Sequence, residues 1–592
     1  MRGSARFLPV ALVALLAGCF DGDGDESGFG PPQTGQTQDA PAPDALPDQF
    51  RQAAGNAAAG QDVFRFETFG NERFWTDALR LPQGIAGAGL TPLQALQIGL
   101  SVNVDAVNAA TRTAILNAIA QINAGTPAAQ TAFGDPAVTL SLINQNAVIG
   151  VVAFNPDGSR KALANTGMLN IAGGDKVGVS CAACHAITDN SVLPPMAALN
   201  TTGSIGKAVD GPTPHRLDVG RIFAAGQNSL AYYPFLQGRF ETLPGNTIGR
   251  GTSFPGLAVT ATAVPTEAQA DLYLTGTDAG TGERFYPLGH FDDTGDGIGN
   301  PLHIALTVRQ DLAAPFGTEG TFDKLDDFSN NVYVNAFDPT ALLTPGGRAF
   351  LRARANATGD ELADNYERIL RATGVIPAGR ATLDVVPFVR ARTDGFTAGT
   401  APSPTGRRVD ETKLRDLNAY FISLPSPRRP ADVDAVAAAR GRDIFRTLTA
   451  SGGGNCTTCH QVDPDRFVPP NVIAMATIYP GYAPVVLAQR MPPMTPIQNS
   501  GGPNPFFDDK HIVSDGSATG KIRGTALPLL LDLTRKTRLL HDDSVVGTDF
   551  RSAANNLLDP ARGAMAAHPF FVSDATRRSD VVEFLRSLET RP

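Results

Sequence analysis

Apolar residues return at helical spacing in two segments of the C-terminal half of the chain. One stripe runs over 414–424 and the other over 581–588, with an apolar side chain every three or four positions. Pro425 and Pro427 cannot continue a helix and end the first segment. Both segments are therefore predicted to be amphipathic helices, and their sequences are alike (LNAYFISL and VVEFLRSL).

The same kind of pattern predicts further elements upstream. An Ala-rich stretch over 433–448 predicts a helix, and isoleucines over 115–122 share one helical face. The apolar run 147–154 predicts a strand or a buried helix. Gly and Pro are frequent over 190–410, which predicts long loops. The fold class is therefore predicted to be mainly α.

The first residues are typical of an export signal. Two arginines precede an apolar run over 7–17, which is too short for the roughly 20 residues that span a bilayer. The run ends in Ala and Gly directly before Cys19, which resembles a bacterial lipobox. We expect a signal peptide over 1–18, a lipid on Cys19 and a flexible tether over 19–60. An ordinary signal peptide beside a chance cysteine is the alternative.

Composition narrows the class of protein. The 592 residues are 42% hydrophobic and carry a net charge of −9. The hydrophobic content supports a real core and argues against bulk disorder. The acidic balance gives no electrostatic footprint for nucleic acid. Five cysteines are too few for a disulfide scaffold.

Four of the five cysteines form two copies of one motif. The first copy is 181–185 (CAACH) and the second is 456–460 (CTTCH). CxxCH is the attachment motif of c-type haem, in which the thiols form thioethers with the haem and the histidine ligates the iron. The residues predicted to hold two haems are Cys181, Cys184 and His185, together with Cys456, Cys459 and His460.

Three other interpretations of the motifs explain less. A thioredoxin-like CxxC does not need the histidine. A four-cysteine zinc site usually places its two pairs about 15–20 residues apart, far closer than these two motifs. Structural disulfides would also leave both histidines unexplained.

Each motif is followed by one of the two matched amphipathic helices, which resemble the closing helix of a cytochrome c domain. We therefore expect two cytochrome c-like haem domains, over 161–428 and 429–592. The first is enlarged by long loop-rich insertions, and 61–160 is expected to be an N-terminal packing region.

These features resemble the bacterial di-haem cytochrome c peroxidase superfamily, which includes the di-haem enzyme of methylamine utilisation and the rubber oxygenases. The resemblance rests on both CxxCH motifs, on 534–546 (TRKTRLLHDDSVV) and on 581–588. Within 541–544 the chain has HDDS where the family has HDGS. The segment 66–81 (FETFGNERFWTDALRL) and the large first domain resemble the rubber-oxygenase branch more closely.

For the second haem, the resemblance implies six-coordinate iron that relays electrons. His541 matches the family's motif position and is the predicted axial ligand opposite His460. Two histidines would give a low potential, whereas a methionine would raise it. The alternative thioether ligands are Met475, Met491 and Met494.

For the first haem, the resemblance implies reactive iron that meets peroxide or dioxygen. Phe316 or Phe322 is the predicted apolar cover, and Glu319 is the predicted acid–base partner. His215 lies in a Gly- and Pro-rich turn and is expected to be solvated. The distal position is predicted to be empty or to be held by Met196, His215 or Tyr232.

The family relays charge through a tryptophan that lies between its two motifs. Trp75 is the only tryptophan in this chain, and it precedes the first motif. It is expected to pack the N-terminal region. Charge would then pass through a tyrosine or directly between the haems.

A calcium site is predicted in 292–300 (DDTGDGIGN), where oxygen-bearing side chains alternate with turn-forming glycines. The candidate ligands are Asp292, Asp296 and Asn300. The segment lacks the final glutamate of an EF-hand, and a solvated acidic turn is the alternative.

The expected function is therefore that of an exported, lipid-anchored di-haem oxidoreductase on the periplasmic side of the cell envelope, at the outer membrane. Its expected partners are a redox protein that donates or accepts electrons, and peroxide or dioxygen. Two alternatives are rubber-oxygenase-like cleavage of an apolar substrate, which the large first domain favours, and a non-catalytic electron-transfer cytochrome.

Overall fold

The structure is a computed structural model. It describes residues 50–236, 256–280, 282, 284–292, 295, 297, 299, 301–317, 320–355, 357–447, 453–460, 472–474, 524–540, 543, 545–563, 568 and 570–590. Helices dominate these residues and the strands are few and short, in agreement with the predicted mainly α class.

The α-helices of this part of the chain are α1 (Ala57–Phe66), α2 (Leu81–Gly87), α3 (Pro92–Gln97), α4 (Ala109–Asn123), α5 (Pro136–Asn144), α6 (Ala182–His185), α7 (Val219–Ala224), α8 (Glu267–Thr275), α9 (Leu325–Asn331), α10 (Pro345–Ala355), α11 (Ala357–Ala372), α12 (Glu411–Ser423), α13 (Ala435–Arg446), α14 (Phe550–Leu557) and α15 (Ala575–Arg586).

The strands form only two-stranded pairs. The single parallel pair among them joins β1 to β5, and the antiparallel pairs are β2–β3, β4–β6, β7–β8, β9–β10 and β11–β12. Their bounds are β1 (Val102–Asn103), β2 (Val151–Phe154), β3 (Lys176–Val179), β4 (Ala186–Thr188), β5 (Ile205–Gly206), β6 (Ala208–Asp210), β7 (His290–Phe291), β8 (Leu302–His303), β9 (Val472–Ala474), β10 (Gly524–Ala526), β11 (Arg538–Leu539) and β12 (Val545–Val546).

Helices α1 and α12 pack closely, although they lie far apart in the sequence. A Cβ atom added at Gly60 would lie 1.9 Å from the carbonyl oxygen of Asp416, so only glycine permits this approach. Beside the crossing, the ring of Phe64 meets that of Phe421 edge to face, with centroids 5.7 Å apart. The crossing joins α1, which precedes the first CxxCH motif in the chain, to α12, which follows it.

Helices α13 and α15 repeat this arrangement around the second motif. A Cβ atom added at Gly441 would lie 1.9 Å from the carbonyl oxygen of Asp580. The rings of Phe445 and Phe584 pack with centroids 5.3 Å apart. Arg440 adds an ion pair with the Asp580 carboxylate at 2.6 Å. Along the chain, each motif thus lies between two helices that cross each other at a glycine.

A short sequence repeat underlies the two crossings. Residues 60–64 read GQDVF and residues 441–445 read GRDIF, with glycine at the crossing and phenylalanine one turn later. Helix α1 therefore takes the place before the first motif that α13 takes before the second. The predicted tether over 19–60 extends too far, because Phe50 is buried and α1 already begins at Ala57.

The segment between α1 and the first motif holds α2–α5 and β1–β3. The helix predicted around 115–122 is part of α4, and the run 147–154 ends in strand β2, one of its two predicted forms. Strand β2 pairs with β3 directly before the motif. The predicted N-terminal packing region over 61–160 thus begins within α1. It packs onto the first motif through β2 and β3.

The three helices predicted in the C-terminal half are confirmed as α12, α13 and α15. Each begins at an aspartate whose carboxylate accepts hydrogen bonds from backbone N–H groups of the first turn. The insertion over 190–410 is more helical than predicted, since it carries α7–α11.

Within the described ranges, no helix combines the length and the apolar character needed to cross a membrane.

Candidate functional site

The first CxxCH motif begins where β3 ends. The chain turns from this strand into the short helix α6, and β4 follows at once. Ser180, directly before the motif, donates through Oγ to the carbonyl oxygen of Arg65 at 2.7 Å. Because Arg65 lies in α1, this contact ties the motif to the helix that precedes it.

All four motif cysteines are free thiols. Burial raises the pKa of Cys181 to about 11, and it raises the pKa values of Cys184 and Cys456 to about 12. Burial also raises the pKa of Cys459. Reactive redox cysteines have lowered pKa values instead, so these surroundings do not favour a thioredoxin-like role.

Burial holds the histidines of both motifs in the neutral form. It lowers the pKa of His185 to about 4, although a hydrogen bond with the backbone of Ala305 opposes part of the shift. Burial, aided by nearby His568, lowers the pKa of His460 to about 3. Nδ1 of each motif histidine is buried without a hydrogen-bond partner. Neutral imidazole is the form that ligates metals, so both side chains fit the role of haem ligand.

A cavity of about 840 Å³ lies beside the first motif. It reaches the motif at Ala183 and Cys184, whereas His185 is not part of its wall. The wall is mainly aliphatic and aromatic, and the described residues that form it include no histidine, methionine or tyrosine. Its volume falls in the range of cofactor sites, roughly 300–1,000 Å³.

Trp75 forms part of this wall and is 2% exposed. Its ring stacks on that of Phe223, with centroids 5.6 Å apart, and Phe223 stacks in turn on Tyr232 at 4.0 Å. Trp75 thus packs against the segment that follows the first motif as well as its own N-terminal surroundings. Its indole Nε1 is buried and has no hydrogen-bond partner, so the protein itself does not use this donor.

The structure does not bring Phe316 to the cavity. Phe316 is buried and pairs with Phe322 through reciprocal backbone hydrogen bonds of 2.7 and 3.0 Å. Neither phenylalanine lines the cavity wall. Glu319 lies outside the described residues, so its predicted role stays a prediction.

None of the three candidate distal ligands of the first haem lines this cavity, although Tyr232 stacks on Phe223 of its wall. The hydroxyl of Tyr232 donates a hydrogen bond to the carbonyl oxygen of Ala336 inside the core. Met196 is partly buried against the core.

His215 is not the solvated loop histidine expected from its turn sequence. Its Nε2 atom is buried without a hydrogen-bond partner. Burial lowers its pKa well below the ordinary value, and the nearby charges of Lys536 and Arg535 act in the same direction. Segments distant in the sequence therefore cover this turn.

The second motif faces a histidine that the sequence analysis did not single out. The rings of His460 and His568 lie with centroids 6.2 Å apart and planes at 45°. Burial, aided by the charge of Arg562, lowers the pKa of His568 to about 4, so it too is neutral. An imidazole nitrogen binds a transition metal at about 2.0–2.1 Å, so one metal between facing rings leaves their centroids about 6 Å apart. The observed spacing suits a shared iron.

The axial ligand expected from the family motif, His541, lies outside the described residues, as do Met475, Met491 and Met494. Their roles stay predictions. No sequence signal marked His568, because it is a lone histidine in an irregular segment. The repeat over 60–64 and 441–445 was visible in the sequence and could have placed α1 in the first of the two repeated units.

The predicted calcium segment forms the connection between β7 and β8. Asp292 is 2% exposed and lies at its start. Asp296 and Asn300 lie outside the described residues, so the calcium site stays a prediction.

Comparison of the chain with models of protein families, with curated proteins and with solved structures gave no match.

Proposed function

We propose that this chain is an exported, lipid-anchored di-haem c-type oxidoreductase that reacts with peroxide or dioxygen at its first haem. The observation that carries the proposal is the same local assembly built twice. In each copy a GxDxF helix crosses a later helix at a glycine, and a CxxCH motif lies between them in the chain. A chance CxxCH would not be expected to recur in matched surroundings.

The side chains of both motifs fit covalent haem. Each offers two thiols outside any disulfide, followed by a neutral histidine with a buried, unpaired nitrogen. His185 and His460 would hold the two irons, and Cys181, Cys184, Cys456 and Cys459 would anchor the two macrocycles.

The surroundings of the two motifs differ in a way that suits a division of labour. Beside the second motif, His568 faces His460 and supplies a second imidazole. Beside the first motif, the described cavity wall supplies no histidine, methionine or tyrosine. A haem iron with protein ligands on both faces stores and relays electrons. A haem iron with a vacant coordination position binds small molecules. The first unit is therefore the proposed reaction site.

When bound, haem supplies the redox chemistry, and the chain determines what reaches it. The apolar wall around Trp75 and Phe223 limits water beside the first motif. Because burial keeps His185 neutral, its imidazole is ready to ligate without losing a proton. A small oxygen- or nitrogen-containing ligand in the cavity could accept a hydrogen bond from the indole N–H of Trp75.

The cellular side of the proposal rests on the sequence of the N-terminal segment. Cys19 would carry the lipid that holds the soluble body at the outer membrane. Electrons would then come from, or pass to, a separate redox protein in the periplasm.

Ligand binding by the purified holoprotein tests the proposal. We expect cyanide and carbon monoxide to shift the Soret band of one haem and leave the other unchanged, and peroxide to oxidise a reduced c-type cytochrome in turnover. The variant Cys181→Ala/Cys184→Ala should lose ligand binding, whereas Cys456→Ala/Cys459→Ala should keep it. If no ligand perturbs either haem, the chain is an electron-transfer cytochrome and the enzymatic proposal fails.

A further inference from the structure

Two histidines and an aspartate from separate segments converge at the β7–β8 hairpin. His290 and His303 are cross-strand partners in this hairpin, and their ring centroids lie 4.1 Å apart. Asp543 comes from the segment between β11 and β12 in the second haem unit. One ligand atom from each of the three side chains lies within 4.8 Å of the other two.

We propose that His290, His303 and Asp543 bind a divalent first-row transition-metal ion of the zinc type. None of the three residues belongs to a CxxCH motif or to the predicted calcium segment 292–300. Two imidazoles and one carboxylate suit zinc, iron or copper, whereas calcium and magnesium prefer sites made of oxygen atoms. Three protein ligands plus a water molecule form a common arrangement around zinc.

The separations are close to those of a metal site. Oδ1 of Asp543 lies 2.8 Å from Nε2 of His303. Ligand atoms of a tetrahedral zinc ion, each about 2.0–2.1 Å from the metal, lie roughly 3.3 Å from one another. Small side-chain movements would therefore seat an ion between the three groups.

A backbone contact orients one of the ligands. Nδ1 of His290 donates to the carbonyl oxygen of Leu288 at 2.8 Å. Since the carbonyl only accepts, Nδ1 carries a proton, and Nε2 is therefore the nitrogen of His290 that would ligate a metal. Metal-binding histidines usually have such a partner, which fixes the ring and its tautomer.

The burial pattern also suits an ion. His290 is fully buried and Asp543 is 4% exposed, so neither interacts freely with water. Oδ1 of Asp543 is buried, and its close neighbour Nε2 of His303, at 2.8 Å, is shared with the carbonyl oxygen of Leu540. A cation would interact with this buried carboxylate oxygen directly.

One ligand connects the site to solvent. The side chain of His303 is 35% exposed, which gives an ion a path of entry and leaves room for a water ligand. In the ion-free form, Nε2 of His303 donates to the carbonyl oxygen of Leu540 at 2.9 Å. Metal binding would replace that proton, as it does at histidine sites in general. The ion would join the first-unit hairpin to the second unit.

Zinc uptake by the full-length holoprotein tests the inference. The protein is stripped with a chelator and equilibrated with Zn²⁺ alone, and bound zinc is counted per chain by mass spectrometry separately from iron. We expect one zinc per chain with submicromolar affinity. Asp543→Asn, which keeps the side-chain shape, and His303→Ala should each weaken binding at least tenfold. The exposed-carboxylate control Asp384→Asn should bind as the parent does.

A wild-type chain that takes up no stoichiometric zinc would overturn the inference, as would unchanged binding by both variants. Equal competition by Ca²⁺ would overturn the assigned metal class. If His303→Ala fails to fold, the Asp543→Asn variant still decides the question. Haem content is measured on the same samples, so loss of zinc binding with both haems retained separates this inference from the proposed haem function.

Discussion

The imidazole of His568 lies 6.2 Å from that of His460, centroid to centroid, and both rings are neutral because they are buried. Phe445 and Phe570 lie beside them, with ring centroids 6.4 Å from His460 and 5.3 Å from His568 respectively. These aromatic neighbours restrict the positions of both imidazoles. The second motif therefore has a second imidazole beside it, whereas the described cavity wall beside the first motif has none.

Replacing His568 with alanine should therefore change the spin state of one haem. With one axial ligand removed, the second haem should change from a low-spin to a high-spin spectrum, while the first keeps its own. Electron paramagnetic resonance and absorption spectra of the holoprotein measure the change. The matched variant is His541→Ala. If it produces the high-spin signal and His568→Ala does not, the ligand is His541 and our assignment is wrong.

The glycines at the two helix crossings should not tolerate a methyl group. Alanine at Gly60 or Gly441 would bring Cβ within 1.9 Å of a backbone carbonyl oxygen, so the helices must move apart. Overpacking of this kind costs about 1–3 kcal/mol. Denaturant unfolding of Gly60→Ala and Gly441→Ala should show that loss.

Gly87→Ala is the matched control for these variants. Gly87 also lies in a helix, but the nearest atom to an added Cβ is the flexible end of Gln227 at 3.1 Å. We expect this variant to be as stable as the parent chain or slightly more stable. A Gly441→Ala chain as stable as Gly87→Ala would contradict the close crossing of α13 and α15.

Trp75→Phe should weaken the binding of a hydrogen-bond-accepting ligand at the first haem. Phenylalanine keeps an aromatic ring against Phe223 but lacks the indole N–H. A neutral hydrogen bond contributes about 0.5–1.5 kcal/mol, so the affinity for cyanide should fall by up to about tenfold. Titration followed at the Soret band measures it.

Tyr366→Phe serves as the control for Trp75→Phe. It also removes a buried donor, because the Tyr366 hydroxyl donates to the carbonyl oxygen of Ala231 at 2.7 Å. Tyr366 does not line the cavity. The cyanide affinity of the Tyr366→Phe variant should match that of the parent chain. An equal affinity in Trp75→Phe would mean that the indole does not meet the ligand.

Asp271 should make the fold less stable as the pH rises through about 6. Burial, together with the charge of Glu267, raises its pKa from 3.8 to about 6, although a hydrogen bond from Ser229 at 2.8 Å opposes the shift. The folded chain therefore binds this proton more tightly than the unfolded chain between about pH 4 and 6. The resulting penalty is fully present above pH 6 and disappears below about pH 4.

Asp271→Asn removes this ionisation and keeps an oxygen for Ser229. Its thermal midpoint should exceed that of the parent at pH 7.5, and the difference should vanish near pH 3.5, below the unfolded-state pKa. Asp384→Asn, at an exposed carboxylate, should show no such pH-dependent difference. If Asp271→Asn has the same midpoint difference at both pH values, the raised pKa is not responsible.

The local elements of this chain could be predicted from its sequence, because their signals are local. The helices around the second motif follow from apolar spacing, an aspartate cap and the prolines beyond α12. The extent of the first unit was missed, because a long insertion separates α1 from the first motif and obscures the repeat over 60–64 and 441–445. The crossing of Gly60 with α12 shows that α1 packs with the helix on the far side of the motif.

The residues proposed to attach haem also come from a local signal, since CxxCH is contiguous in the sequence. Residues that come together only through folding could not be identified from the sequence. His568 lies in an irregular segment without periodicity, and Trp75 reaches the cavity by stacking on Phe223, which follows the first motif in the sequence. His290, His303 and Asp543 carry no shared spacing either. Long-range contacts of this kind are specified by packing rather than by local sequence pattern.

The number of covalent haems per chain tests the central claim most directly. The full-length protein is produced in a host that matures c-type cytochromes, and intact mass and the pyridine haemochrome spectrum are measured on the denatured chain. We expect two haems on the parent chain and one on each of Cys181→Ala/Cys184→Ala and Cys456→Ala/Cys459→Ala. A parent chain that carries no covalent haem, or only one, would contradict the account.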